Sequence, residues 1–180
     1  KMITVRPFKA IRPTRDKASL VASRSYLSYS DEILKEKLEN NPFTFLHVIN
    51  PDYKDRTKRN GIEKFKLVKN RFNKFIEEKH LIQDKEDSFY IYQQENRTHT
   101  FNGIIAATKV SDYLNGKIKK HEHTITEREE MFKNYLDKTG FNADPVLLSY
   151  QKKGRVSEIR VLILLGKILY RQSLLALPMR

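Results

Sequence analysis

Phe89-Tyr90-Ile91-Tyr92-Gln93-Gln94-Glu95-Asn96-Arg97-Thr98-His99-Thr100-Phe101-Asn102-Gly103-Ile104-Ile105-Ala106-Ala107-Thr108-Lys109-Val110 decides the fold. Aromatic and β-branched residues crowd Phe89 to Gln93 and again Thr98 to Val110, the composition of strands. Glu95-Asn96-Arg97 between them is a turn, so the stretch predicts a hairpin over about 89–110. Gly103 to Ala107 is its apolar part, and Gly103 is expected to mark a bulge.

Helical patterns lie on both sides of this hairpin. Upstream, Ile62, Phe65, Val68, Phe72, Phe75 and Ile76 recur at helical spacing and predict a helix over 61–78. Before it, residues 50–60 are loop-like. Phe43 to Ile49 is a short apolar run expected to be a strand. Ser30 can cap a helix over 31–39, which Asn40-Asn41-Pro42 stops. Residues 3–13 are expected to be extended, with Pro7 and Pro13 opposing helix. Downstream, Ser111 to Gly116 forms a single helical turn. Thr126 with Glu129 makes a capping box for a helix over 127–139, with Phe132, Tyr135 and Leu136 expected to face inward. Pro145 to Tyr150 is a last strand. The sum is an α+β fold: one domain over 1–150, a mixed sheet round the hairpin, and helices packed on it.

Composition breaks near residue 151. All ten Phe precede residue 142, while seven Leu fall in the last thirty residues. In Arg160 to Arg171 the apolar side chains would surround a helix on every side, unlike a surface helix with one stripe. Residues 151–180 are therefore expected to be a poorly packed tail, atypically basic and Leu-rich. The charge confirms the asymmetry. Of a formal +13, the tail holds +6, with seven Lys/Arg against Glu158 alone. The overall excess of cations points to an anionic partner. No apolar stretch is long enough to span a bilayer, so no membrane partner is expected. Lys1 to Phe8 lacks the apolar run of a signal peptide. The absence of cysteine fits a cytoplasmic location.

The polar chemistry concentrates just past the hairpin, in Tyr113-Leu114-Asn115-Gly116-Lys117-Ile118-Lys119-Lys120-His121-Glu122-His123-Thr124. Three cations, two imidazoles and a carboxylate lie between Lys117 and His123. In extended chain His121 and His123 share a face, but a stable metal site needs further ligands and the spacing demands none, so no metal is expected. Glu122 can act as a general base, its charged form favoured by neighbouring cations, while Lys117, Lys119 and Lys120 hold phosphate oxygens. A second cationic region, Lys54, Arg56, Lys58, Arg59, Lys64, Lys66, Lys69, Arg71, Lys74 and Lys79, can track a nucleic-acid backbone. Glu63, Glu77 and Glu78 interrupt it, and no reading motif accompanies it. There is no P-loop, no G-x-G-x-x-G and no G-x-S-x-G.

Five stretches in order complete the pattern: Val5-Arg6-Pro7-Phe8-Lys9-Ala10-Ile11-Arg12-Pro13, Asn41-Pro42-Phe43-Thr44-Phe45-Leu46-His47-Val48, Ile104-Ile105-Ala106, the Ile118-Lys119-Lys120-His121-Glu122-His123-Thr124 run, and Asp144-Pro145-Val146-Leu147-Leu148-Ser149-Tyr150. This order resembles the N-terminal half of the bacterial and archaeal DUF1015 proteins, a family of unknown function, over about residues 3–150. The second half of those proteins carries an Asp-Gly-His-His-Arg motif similar to one in free-serine kinases of the ParB/sulfiredoxin-like superfamily. That likeness implies a nucleotide-dependent phosphotransferase acting on a small hydroxyl substrate, with ATP or ADP and magnesium. Glu122 would be the base and His121 its neighbour. Lys117, Lys119 and Lys120 would lie at phosphate, with His123 and Thr124 beside them. Two departures bear on this. The His-His motif is absent here, and of a Pro-Pro-Tyr-Asp run only Tyr26 matches. The chain is therefore expected to be a truncated or frameshifted product, inactive alone. The alternative function is a basic nucleic-acid-binding module.

Overall fold

The computed structural model describes residues 2–24, 28–95, 97–98, 100–119, 126–143, 145–148, 159–164 and 175–177. The hairpin forms as expected. Strands β4 (Phe89–Glu95) and β5 (Thr100–Thr108) pair antiparallel, with Tyr90 opposite Ile105 and Tyr92 opposite Gly103. The register runs unbroken through Gly103, so the expected bulge is absent. Gly103 is buried in regular ladder instead.

Around this hairpin the sheet is mixed. Two short N-terminal strands come first, β1 (Val5–Arg6) and β2 (Ile11–Pro13). β3 (Leu81–Gln83) precedes the hairpin, while β6 (Val146–Leu148), β7 (Ile159–Leu164) and β8 (Leu175–Leu177) follow it. The order across the large sheet is β6-β7-β5-β4-β8, with β1 also on β5. β7 runs parallel to β5 from Asn102 to Ala107, and the other pairings are antiparallel. Ala107 has Leu164 on one side, so its second partner, Arg6 of β1, must lie on the edge that β4 occupies further back. A separate two-stranded sheet joins β2 to β3, a strand that the hydrophobic pattern did not single out.

The helices expected from the sequence form close to their expected positions. α1 (Ala18–Val21) is a single turn. α2 (Asp31–Asn40) begins at Ser30, whose hydroxyl accepts the Ile33 amide. α4 (Gly61–Glu77) buries Val68, Phe72 and Phe75 along one stripe. α5 (Val110–Leu114) is one turn ahead of Gly116. α6 (Thr126–Thr139) ends at Gly140, whose amide bonds the Leu136 carbonyl at φ +74°.

Two expectations fail on packing. Phe43 to Ile49 is not a strand: Leu46–Ile49 is a helical turn, α3. Phe45, Leu46 and Val48 are all fully buried. A short run buried on every side has no periodicity to tell strand from helix. Local polar groups decide it here. Asn41 Oδ1 accepts the Phe43 amide at 3.0 Å, Thr44 Oγ1 accepts the Leu46 amide, and the Phe45 amide bonds Val21 O. On α6, Phe132 and Leu136 are exposed rather than inward. Tyr135 alone of the three packs, edge-on to Phe65 and Phe141.

Two buried clusters result. The larger joins α1, α3, α4, β2 and β3, with Phe72 stacked on Phe141 at 4.0 Å between ring centres. The smaller, Ala10, Tyr90 and Ile105 with Phe8 and Tyr92 against it, lies on the hairpin. Ala10 and Ile11, adjacent in sequence, belong one to each. Among the described residues no helix is long and apolar enough to cross a membrane.

Candidate functional site

The polar stretch is launched by α5. Gly116 has φ +66°, a conformation that costs other residues a clash between Cβ and the backbone. It closes the helix with paired reverse bonds: Gly116 N–H to Tyr113 O and Lys117 N–H to Asp112 O, the second at 2.9 Å. Ile118 N–H bonds the same Asp112 carbonyl at 3.0 Å.

The side chain of Asp112 fixes the same turn from the other side. It is only 2 % exposed. Its Oδ1 accepts from Lys117 Nζ at 2.8 Å, and its Oδ2 accepts from the Thr4 amide at 2.7 Å. The Lys117 hydrogen bond, then the Thr4 amide, hold this carboxyl below the usual carboxylate range, outweighing burial. One residue thus clamps the N-terminal strand, the turn and the first cation of the stretch. The β1–β5 register places Arg6 opposite Ala107 and Val5 opposite Thr108, so Arg6 and Lys109 come to the end of β5 where α5 begins.

The expected site residues divide accordingly. Lys117 is described and engaged with Asp112. Lys119 is described and exposed. Lys120, His121, Glu122, His123 and Thr124 lie outside the described residues. Asp112 and Thr4 were not among the expected residues. The signal for Asp112 was a carboxylate in a one-turn helix closed by glycine. For Thr4, which lies 108 residues from its partner, there was none. Among the described residues no three of His, Asp or Glu gather as metal ligands.

The second cationic region is built differently. Asp52, nearly fully buried, accepts the Arg59 amide at 2.8 Å. Burial pushes its carboxyl up, but the Arg59 amide, Lys64 and Lys58 outweigh that and leave it lowered. Lys58 Nζ donates to the carbonyls of Asp52 and Tyr53, and Arg59 pairs with Asp55. Here cations fold a loop onto itself.

The family model described as "Protein of unknown function (DUF1015)" matches residues 5–165, most of the chain. The chain belongs to the DUF1015 family. The match takes in α5, the polar stretch and β7, and so runs past the composition break. No curated protein and no solved structure matches this DUF1015 chain.

Proposed function

We propose that this DUF1015 domain carries the phosphate-and-base half of a nucleotide-dependent phosphotransferase site for a small hydroxyl substrate. One observation carries the reading: Asp112 holds both the main chain and the ammonium of Lys117, so the chain leaves a rigid turn with Lys119 exposed at the head of the His-Glu-His run. A fixed turn ahead of a cationic segment reduces the ordering cost of gripping a phosphate. Lys119 and Lys120 take the role of phosphate ligands, and Glu122 that of the base toward the substrate hydroxyl, with His121, His123 and Thr124 beside it. Magnesium would arrive on the phosphates, where it usually keeps several waters and needs few protein ligands.

Calorimetric titration with Mg-ATP and Mg-ADP tests this. Binding by the intact chain is expected, weakened by about tenfold or more when Lys119 and Lys120 are both changed to Ala. In a longer family member that carries the Asp-Gly-His-His-Arg motif, the substitution matching Glu122→Gln should leave nucleotide affinity intact while stopping phosphoryl transfer to a hydroxyl acceptor. A chain that binds neither nucleotide overturns the proposal. The nucleic-acid reading is the alternative, and the pairing of Lys58 and Arg59 within their own loop weighs against it. It would gain if affinity for DNA or RNA fell steeply with salt in a chain that ignores nucleotide.

A further inference from the structure

Three of the six glycines in the chain follow an asparagine: Asn60-Gly61, Asn102-Gly103 and Asn115-Gly116. Such a pair carries its own reaction. The backbone nitrogen of the glycine can attack Cγ of the asparagine side chain and expel ammonia, because the glycine has no side chain to block the approach. The cyclic imide that results takes up water and opens to aspartate or isoaspartate. The attacking nitrogen must give up its proton. A glycine N–H that already donates a hydrogen bond is therefore held back.

The fold holds back two of the three pairs. Gly103 is buried within β5, between Tyr92 of β4 and Arg160 of β7. In a strand with partners on both sides, each amide is paired to one of them. The Asn102 side chain is engaged as well, its Oδ1 accepting from Gln93 Nε2 at 3.1 Å. The Gly116 amide donates to Tyr113 O at 3.0 Å in the turn that closes α5.

Asn60-Gly61 is open on each of these counts. Asn60 stands just ahead of α4, and its side chain makes no capping bond. Gly61 is the first residue of α4, where an amide has no partner within the helix, and it has none among the other described residues. Both residues are exposed. The space beside the Gly61 Cα is empty too, since a Cβ there would meet nothing within 4 Å, so an imide ring fits without a clash. The positive end of the α4 dipole favours the anionic nitrogen and the oxyanion of the tetrahedral intermediate, and Lys64 lies one turn along. The carboxylate that forms gains from the same field, so α4 keeps its start.

We propose that Asn60 is a site of spontaneous self-modification. Gly61 N bonds Asn60 Cγ, its proton leaves with the side-chain nitrogen as ammonia, and water opens the imide to place a carboxylate at the head of α4. Asn102 and Asn115 are protected by the fold. The intact chain would be kept in mildly alkaline buffer and followed by peptide mapping with mass spectrometry, which reads the exchange of NH₂ for OH at each asparagine. Chromatography separates the aspartate and isoaspartate products. Asn60 is expected to convert faster than Asn102 and Asn115 by about tenfold or more, because those two react only through local opening. In concentrated urea the three rates should draw together. Asn60→Ser should remove the main acidic variant on ion exchange and leave the other two asparagines at their slow rates. The comparison of folded chain with urea needs no substitution, so it decides the matter even if Asn60→Ser fails to fold. Conversion of Asn60 no faster than the other two in the folded chain would overturn the proposal. So would a lead for Asn60 that persists undiminished in urea, since the fold would then have no part in it.

Discussion

Asp84 and Asp112 are both shielded carboxylates that tie distant parts of this chain together, and they do so to different ends. Asp84 meets Arg12 in a two-pronged pair, Nε to Oδ1 at 2.9 Å and to Oδ2 at 3.1 Å, with the Arg12 Nη2 at 2.9 Å from Oδ1. It also accepts the Tyr90 hydroxyl proton at 2.7 Å. That hydroxyl in turn accepts the Ala10 amide, and the Asp84 amide bonds Ala10 O. This knot welds the β2–β3 sheet to the hairpin between the two apolar clusters. Asp112 spends its acceptors on a backbone amide and one lysine, and the chain it steadies leads to the exposed Lys119. A partly buried carboxylate closed by arginine and tyrosine marks architecture. Asp112 instead braces the turn ahead of a run of Lys, His and Glu.

Asp84→Ala should break the contrast most forcefully. It strands the Arg12 guanidinium and leaves the Tyr90 hydroxyl only the longer bond to Phe8 O, at 3.2 Å, so a loss of about 3 kcal/mol is expected. Urea denaturation followed by tyrosine fluorescence would measure it, since the chain has nine Tyr and no Trp. A loss as small as an ordinary surface substitution would show that the knot is not structural. Nucleotide affinity at the Lys119 segment should be unaffected in whatever fraction stays folded.

Tyr90→Phe is the milder break, costing about 1–2 kcal/mol because the Ala10 amide loses its acceptor. It also carries a pH signature. Burial above all, then the hydrogen bond to Asp84, raises the Tyr90 hydroxyl from 10.0 to about 12. The folded state therefore keeps a proton that the unfolded chain releases. The contribution is fully present below pH 10 and is lost as pH rises toward 12. Wild-type stability should fall through this window more steeply than that of Tyr90→Phe. Parallel slopes would mean that the hydroxyl is not held as described.

The contrast also separates what could be read along the chain from what could not. Helices α2 and α4 announced themselves through the Ser30 cap and the Phe72–Phe75 stripe, because caps and periodicity are local. The hairpin did so through its turn and its β-branched flanks. α3 did not, since residues buried all round show no period. Phe132 and Leu136 on α6 have the spacing of a core face, but spacing alone does not supply a surface to cover them. For the site, the polar run and Lys119 were evident in the residues themselves. The distant partners of both carboxylates were hidden, because Arg12 lies 72 residues from Asp84 and Thr4 lies 108 from Asp112. Such contacts exist only once the sheet has assembled.

Asp112→Asn is the finest probe, and its effect on stability should be smaller than that of Tyr90→Phe. The main-chain bonds from Lys117 and Ile118 go to the Asp112 carbonyl and survive. The amide that replaces the carboxylate can accept through one oxygen, so it turns an NH₂ toward either the Thr4 amide or Lys117 and loses one of the two contacts. The folded carboxyl is lowered from 3.8, chiefly by Lys117. Its stabilisation is therefore fully present above that ordinary value and disappears as pH falls through the folded one. The stability gap between wild type and Asp112→Asn should be constant near neutrality and close only in acid. If Asp112 were architecture alone, the variant would lose stability and keep full nucleotide affinity. If it braces the turn for a ligand, affinity at neutral pH should fall several-fold in a protein that is still folded, and Asp112→Glu, which keeps the charge, should recover part of it.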